Sequence, residues 1–292
     1  MILRSALLLG LLAAPSATAN PIRANTPGTG VFQRSGLLLG VAADDQESGG
    51  TELSTLSSFA ELRYTPATHW VFDVRVPYAV ENRVKAPRAA ETVSGIGDVM
   101  VSVKHRFYRW VGPWADRHAA VELGLKLPTG ATDRPVDPGL PAALRSRLQP
   151  GTGSTDGLVD FVYQQARNRF VFAADAGYRY NAEGDGGYRR GNEGHVNLSA
   201  QYVLFPRDYA QPGHEVFAVL EGTFLEVEND RLRGSTIPGT DRTAFLLAPG
   251  VQYVATERVF LDLSMQVPVW QETSRGRLKE RWNLLAQLRY AF

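Results

Sequence analysis

Apolar and polar residues alternate along this chain in segments of about ten residues, and that pattern constrains the fold more than any other feature. "HWVFDVRVPY" sets Trp70, Phe72, Val74, Val76 and Tyr78 against Asp73 and Arg75. "RFVFAADAGYRY" sets Phe170, Phe172, Ala174, Ala176, Tyr178 and Tyr180 against Asp175, Gly177 and Arg179. "RVFLDLSMQVPV" sets Val259, Leu261, Leu263, Met265, Val267 and Val269 against Asp262, Ser264 and Gln266. A period of two belongs to a β-strand with one apolar face. The same alternation puts Glu61 and Arg63, Asp98 and Lys104, Glu122 and Lys126, Asp160, Glu221 and Arg289 on the polar faces of other segments.

The chain opens with "MILRSALLLGLLAAPSATAN": one early cation, an apolar run and an Ala17-Thr18-Ala19 cleavage pattern. Residues 1–19 are therefore expected to be a secretory signal peptide. After it no apolar run approaches the roughly 18 residues of a membrane helix. A chain that crosses a membrane without helices must do so as a closed barrel, because only closure pairs every backbone group. The expectation is an all-β, antiparallel, transmembrane up-and-down barrel of about twelve strands over 34–292. Aromatics at the ends of the apolar faces (Trp70, Tyr78, Phe107, Phe170, Tyr180, Tyr202, Tyr253, Trp282, Tyr290) match interfacial girdles. A secreted β-sandwich also alternates, but it does not need such rims.

Connections alternate between tight turns such as "TPATH", "ARNR" and "ATER" and polar links at 44–52, 80–94, 128–155, 181–194, 227–242 and 271–280. Short periplasmic turns and long outer loops make that asymmetry. An even strand count then puts both termini at the periplasmic side. The closing "RWNLLAQLRYAF" alternates to Tyr290 and Phe292. It is similar to the terminal strand signal of outer-membrane barrels, so the barrel-assembly machinery and outer-membrane lipid are expected partners.

"SGIGDVMVSVKHRFYR" (94–109), with Gly95, Gly97, Asp98, Lys104, Arg106 and Phe107, resembles a recurring segment in the phenol meta-cleavage pathway and transporter family of exported proteins. "LKLPTG" (125–130) and "LQPGTGSTD" (148–156) resemble that family's segments flanking a long loop. The resemblance implies an outer-membrane channel or uptake protein for small solutes, with an aromatic class among them. It carries over no catalytic residue. From the residues alone, Gly95 and Gly97 allow a sharp turn that delivers Asp98 to the lumen.

Composition narrows the function further. With Arg4 removed alongside the leader, basic residues equal the 30 acidic ones, so no basic surplus points to nucleic acid. There is no cysteine, hence no disulfide framework or thiolate metal site. His195 and Ser199 share a polar face, but four strand residues separate them by about 13 Å. His105 falls on an apolar face near an interface. No nucleophile elbow or paired-histidine metal motif occurs, so no enzyme, metal or cofactor is assigned. Glu122 and Asp175 read as members of a lumen salt-bridge ladder with Lys126 or Arg179, rather than cation ligands. The lumen-lining set is thus Glu61, Arg63, Asp73, Arg75, Asp98, Lys104, Glu122, Lys126, Asp160, Asp175, Arg179, Glu221, Asp262 and Arg289. Residues 20–33 are expected to form a periplasmic segment or lumen plug, and loop 128–155 an outer constriction. The function expected is a narrow passive channel for a small solute. The alternative is a structural or surface-interaction barrel closed by paired charges.

Overall fold

A computed structural model describes residues 21–25, 35–87, 89–112, 115–206, 214–273 and 278–292. Twelve strands form the wall: β1 Gly36–Ser48, β2 Thr51–Ala67, β3 Trp70–Ala86, β4 Met100–Val111, β5 Asp116–Lys126 and β6 Asp156–Arg167, then β7 Phe170–Tyr180, β8 Glu193–Phe205, β9 Glu215–Val227, β10 Arg242–Thr256, β11 Val259–Thr273 and β12 Lys279–Ala291. Each pairs antiparallel with the next. β12 returns to β1 from Gly36↔Ala291 to Glu47↔Lys279, so the sheet is a closed barrel without an open edge.

Burial is inverted relative to a soluble domain. Asp73, Lys104, Glu122, Asp160, Asp175 and Asp262 are all buried, pointing inward. Leu123, Phe161 and Leu198 stand more than half exposed on the outside, at 56%, 62% and 61%. A sandwich would hide those side chains; a barrel in hydrocarbon exposes them. Outward Trp70 and His105 stack at 4.3 Å on paired strands, which places His105 among the rim aromatics.

Both ends of the ring, Gly36 and Ala291, lie at one rim, with the short connections after β2, β4, β6, β8 and β10. The long connections lie at the other, hereafter the outer rim. Two expected loops are instead strand. Residues 44–52 hold a two-residue turn at Gly49 and Gly50, whose φ values of 56° and 82° suit the hairpin twist. Residues 80–94 extend β3 and return as a short strand, Ala89–Gly95. Polar alternation in both stretches had the look of loop because these hairpins run past the apolar band. Seventeen residues at about 3.3 Å each outreach a band roughly 25 Å tall.

At the terminal rim an apolar cluster fills part of the lumen: Ile22 packs with Val171, Val203, Phe217, Val219, Val254 and Phe260. At the outer rim helix α1, Ala142–Leu148, folds inward. Its Leu144 and Leu148, with Leu140, bury against Leu53 and Val84 of the β2–β3 extension, Val93 and Leu278. The terminal Phe292 N–H donates to the Ser35 carbonyl at 2.9 Å, while its ring stays 58% exposed beside Tyr290.

Candidate functional site

Among the described residues, two cavities stand out in the lumen. The inner one, about 350 Å³, is lined by Glu61, Arg63, Asp73, Arg75, Lys104, Glu122, Asp160, Asp175, Arg179 and Arg289, together with residues 21–25. The outer one, about 560 Å³, is lined by Asp98, Lys126, Arg179 and the loop residues Arg147, Pro150 and Thr152. Arg179 borders both. Glu221 and Asp262 line neither. Glu221 is consumed by the N-terminal segment, and Asp262 by Gln252 and Arg289 at 2.7 and 2.8 Å.

Residues 22–25 cross the lumen as a bent thread sewn to the wall by polar bonds. Glu221 on β9 accepts the backbone N–H groups of Ile22, Arg23 and Ala24 at 3.0–3.2 Å. The Arg23 guanidinium donates to Ser264 Oγ at 2.9 Å, to Asn283 Oδ1 at 2.7 Å and to the carbonyls of both residues. Asn25 donates its N–H to Asp175 at 2.6 Å and its side-chain amide to Glu122 and Asp160 at 2.7 and 3.0 Å. Lys104 Nζ donates to Asn25 Oδ1 at 2.7 Å. One short segment thereby satisfies acids from four strands. Sequence reasoning placed Arg23 and Asn25 only within the expected plug 20–33 and Ser264 only on a polar strand face, and named none of these, nor Asn283, as a site residue.

The wall charges pair across strands. Arg63 meets Asp73 at 2.7 Å, Arg75 meets Glu61 at 2.7 Å, and Lys104 meets Glu122 at 3.0 Å. Lys126 reaches Asp98 at 3.0 Å and Asp156 at 2.7 Å. The expected ladder of Glu122 and Asp175 with Lys126 or Arg179 is not the one formed: Glu122 takes Lys104, and Lys126 takes Asp98 and Asp156. Residues four apart along a strand are separated by about 13 Å, whereas directly opposed residues lie within about 5.5 Å. Arg179 has no carboxylate within 4.0 Å among the described residues. Asp175 instead lies 3.3 Å from His195 Nε2, and Asp160 Oδ1 lies 3.1 Å from the same nitrogen. Ser199, His195's neighbour on that face, accepts from Gln201 at 3.2 Å.

Three motif segments converge at Asp98. Its carboxylate accepts the Gly130 N–H at 2.9 Å, the Thr152 N–H at 2.8 Å and hydroxyl at 2.7 Å, and Lys126 Nζ at 3.0 Å. Thr129 Oγ1 takes the Val99 N–H at 2.8 Å. Gly130 and Gly151 approach so closely that a Cβ on Gly151 would sit 2.5 Å from the Gly130 carbonyl carbon. Asp98 lies outside the strands of the wall. Burial raises its carboxyl, but the Thr152, Gly130 and Lys126 donors outweigh that and hold it below the usual range. This clasp ties both ends of loop 127–155 to the "GIGD" turn.

A family model described as "Putative MetA-pathway of phenol degradation" matches residues 23–280. The chain belongs to that family. No curated protein matches it in sequence. Among solved structures, the COG4313 outer membrane channel from Pseudomonas putida F1 aligns at a TM-score of 0.65 and 12% identity, covering 94% of this chain and 100% of that one. The β domain of the Bordetella autotransporter BrkA aligns at 0.52 and 12% identity, covering 89% and 100%. This chain and these two solved structures share one architecture, the closed antiparallel β-barrel.

Proposed function

We propose that the protein is a passive channel of the bacterial outer membrane for small solutes, aromatic ones among them. The observation that carries this is a lumen with space in it: two cavities of about 350 and 560 Å³, each lined by charged and apolar groups, with Arg179 bordering both. Those volumes fall within the roughly 300–1,000 Å³ of small-molecule sites. The family description names phenol degradation, and the Pseudomonas neighbour is an outer membrane channel. Guanidinium groups already stack on rings in this lumen, Arg75 over Phe59 at 4.7 Å and Arg289 over Phe260 at 5.4 Å. The same chemistry suits a hydroxylated or carboxylated ring in transit.

In this reading residues 1–19 are a leader, 20–33 a segment that plugs the periplasmic mouth, and 34–292 the barrel. The termini face the periplasm, and Tyr290 and Phe292 present the terminal strand to the assembly machinery. Twelve of the fourteen lumen residues shape the solute path and perform no chemistry on it; Glu221 holds the plug, and Asp262 holds Arg289. A second reading, a structural barrel closed by its own charges, draws on the cross-strand pairing of nearly every lumen acid.

Liposome uptake separates the two. Benzoate and hydroxybenzoates should enter liposomes carrying the protein faster than empty ones, and faster than sugars of similar size. Deleting 21–25 should raise the rate. Rates equal to empty liposomes in both forms leave only the structural barrel.

A further inference from the structure

We infer that Asp160, Asp175 and His195 form a binding site for a first-row divalent metal ion, of the zinc and cobalt type, on the wall of the inner cavity. The site is built by three adjacent strands. Gly177 on β7 is paired with Asp160 on β6 and with His195 on β8. It has no side chain to separate them: a Cβ at Gly177 would fall 1.5 Å from Asp160 Oδ1 and 2.7 Å from His195 Cε1. Asp175, two residues earlier on β7, completes the set, and the three ligand atoms lie within 4.8 Å of one another.

The separations fit an ion better than a proton. His195 Nε2 stands 3.1 Å from Asp160 Oδ1 and 3.3 Å from Asp175 Oδ2. Ligands about 2.0–2.2 Å from one ion lie roughly 3.0–3.5 Å apart in octahedral or tetrahedral geometry. One Nε2–H cannot point at two carboxylates, and Asp160 Oδ1 is buried without a hydrogen bond despite its distance from the imidazole. The other carboxylate oxygens are already oriented. Asn25 Nδ2 donates to Asp160 Oδ2 at 3.0 Å and Asn25 N–H to Asp175 Oδ1 at 2.6 Å, while Asn197 Nδ2 donates at 2.7 Å to Asp175 Oδ2, the oxygen that faces His195. Outer partners of that kind hold metal ligands in place.

Charge points the same way. Glu122, Asp160 and Asp175 share Asn25 as a partner, while the neighbouring lysine, Lys104, is engaged by Glu122. The group carries excess negative charge that a divalent ion would offset. Asp160, Asp175 and His195 line the inner cavity, which supplies the entry path. One imidazole and two carboxylates, with no thiolate, suit zinc, cobalt or manganese rather than soft copper(I).

The experiment is zinc and cobalt titration of the untagged, chelator-stripped full barrel, read by calorimetry and by the visible spectrum of cobalt. One equivalent should bind, and more weakly as pH falls, because the imidazole must give up its proton to ligate. His195→Gln and Gly177→Ala should each weaken binding by more than tenfold, with heat-modifiable migration on gels confirming a folded barrel. Wild-type affinity no tighter than that of a folded variant overturns the site. Should neither variant fold, an anomalous zinc peak beside His195 Nε2 in wild-type crystals supports it, and a peak only elsewhere, or none, overturns it. Solute uptake plays no part in these readouts, so failure of the channel reading leaves the metal site standing, and the reverse.

Discussion

The two ends of the lumen are narrowed by different chemistry. At the terminal rim the barrier is a thread, residues 22–25, held by side-chain acceptors, by the Arg23 guanidinium and by the packing of Ile22 alone among its side chains. At the outer rim it is a loop continuous with β5 and β6, anchored by leucines packed on the β2–β3 extension and by the Asp98 clasp. The thread makes no ladder with the wall, so it can leave without unpairing any strand. The loop cannot, because both its ends are strand. Of the two, the inner closure is the one built to be reversible.

The sharpest way to break this contrast is to remove the thread. Deleting residues 21–25 should raise single-channel conductance several-fold while the barrel remains heat-modifiable. Arg23→Ala should go part of the way, since Glu221 still holds the backbone. It also strips Ser264 and Asn283 of their donor, at about 1–3 kcal/mol where water does not replace it. Unchanged conductance in the deletion would show that the thread is not the barrier.

A pair of neighbouring substitutions tests wall against lumen. Leu263 faces lipid at 53% exposure, and Leu263→Arg should destabilise the barrel by about 2–4 kcal/mol if it lies at the bilayer midplane. Ser264, one residue on, points inward and accepts from Arg23. Ser264→Arg places a second guanidinium there and should expel the thread, raising conductance with little cost to the wall. Urea unfolding in vesicles and single-channel recording read the two effects. Equal destabilisation by both would mean that β11 is out of register, because a one-residue slip exchanges its faces.

The outer face of the barrel was legible because its period of two is a local property, carried by residues such as Leu261, Leu263 and Met265. It faltered only where a bulge interrupts the period: β11 carries an extra residue opposite Phe245 and Leu246, so Val269 and Trp270 are both exposed. The partners inside the lumen were not legible. Lys104 meets Glu122 because β4 and β5 are in that register, and no period along one strand states the register of two. The His195 cluster needs three strands aligned and a glycine between them, which makes Gly177 informative only after the fold is known. The motif segments around Asp98 stood out as Gly, Pro and Thr clusters, but their convergence depends on loop 127–155 returning to its own start.

The smallest expected effect belongs to that convergence, and it is a matter of pH. Asp98 is depressed below the usual carboxylate range, so it binds its proton less readily in the folded loop than in a released one. Its contribution to loop anchoring is therefore complete above the unfolded value of about 3.9 and is lost as pH falls through the lower, folded value. Outer-loop closure should hold from pH 7 down to about 4 and loosen only below it. Asp98→Asn keeps the shape but leaves Lys126 with Asp156 as its remaining carboxylate, and an amide nitrogen facing either the Gly130 or the Thr152 N–H. It should loosen the loop by about 1–3 kcal/mol at every pH. Hydrogen exchange at Gly130 and Thr152 is the direct measurement, with conductance noise as a second readout. An Asp98→Asn variant whose loop is as tight as the wild type's at neutral pH would assign the outer closure to the leucine packing alone, and wild-type loosening between pH 7 and 5 would assign its pH response to a group other than Asp98.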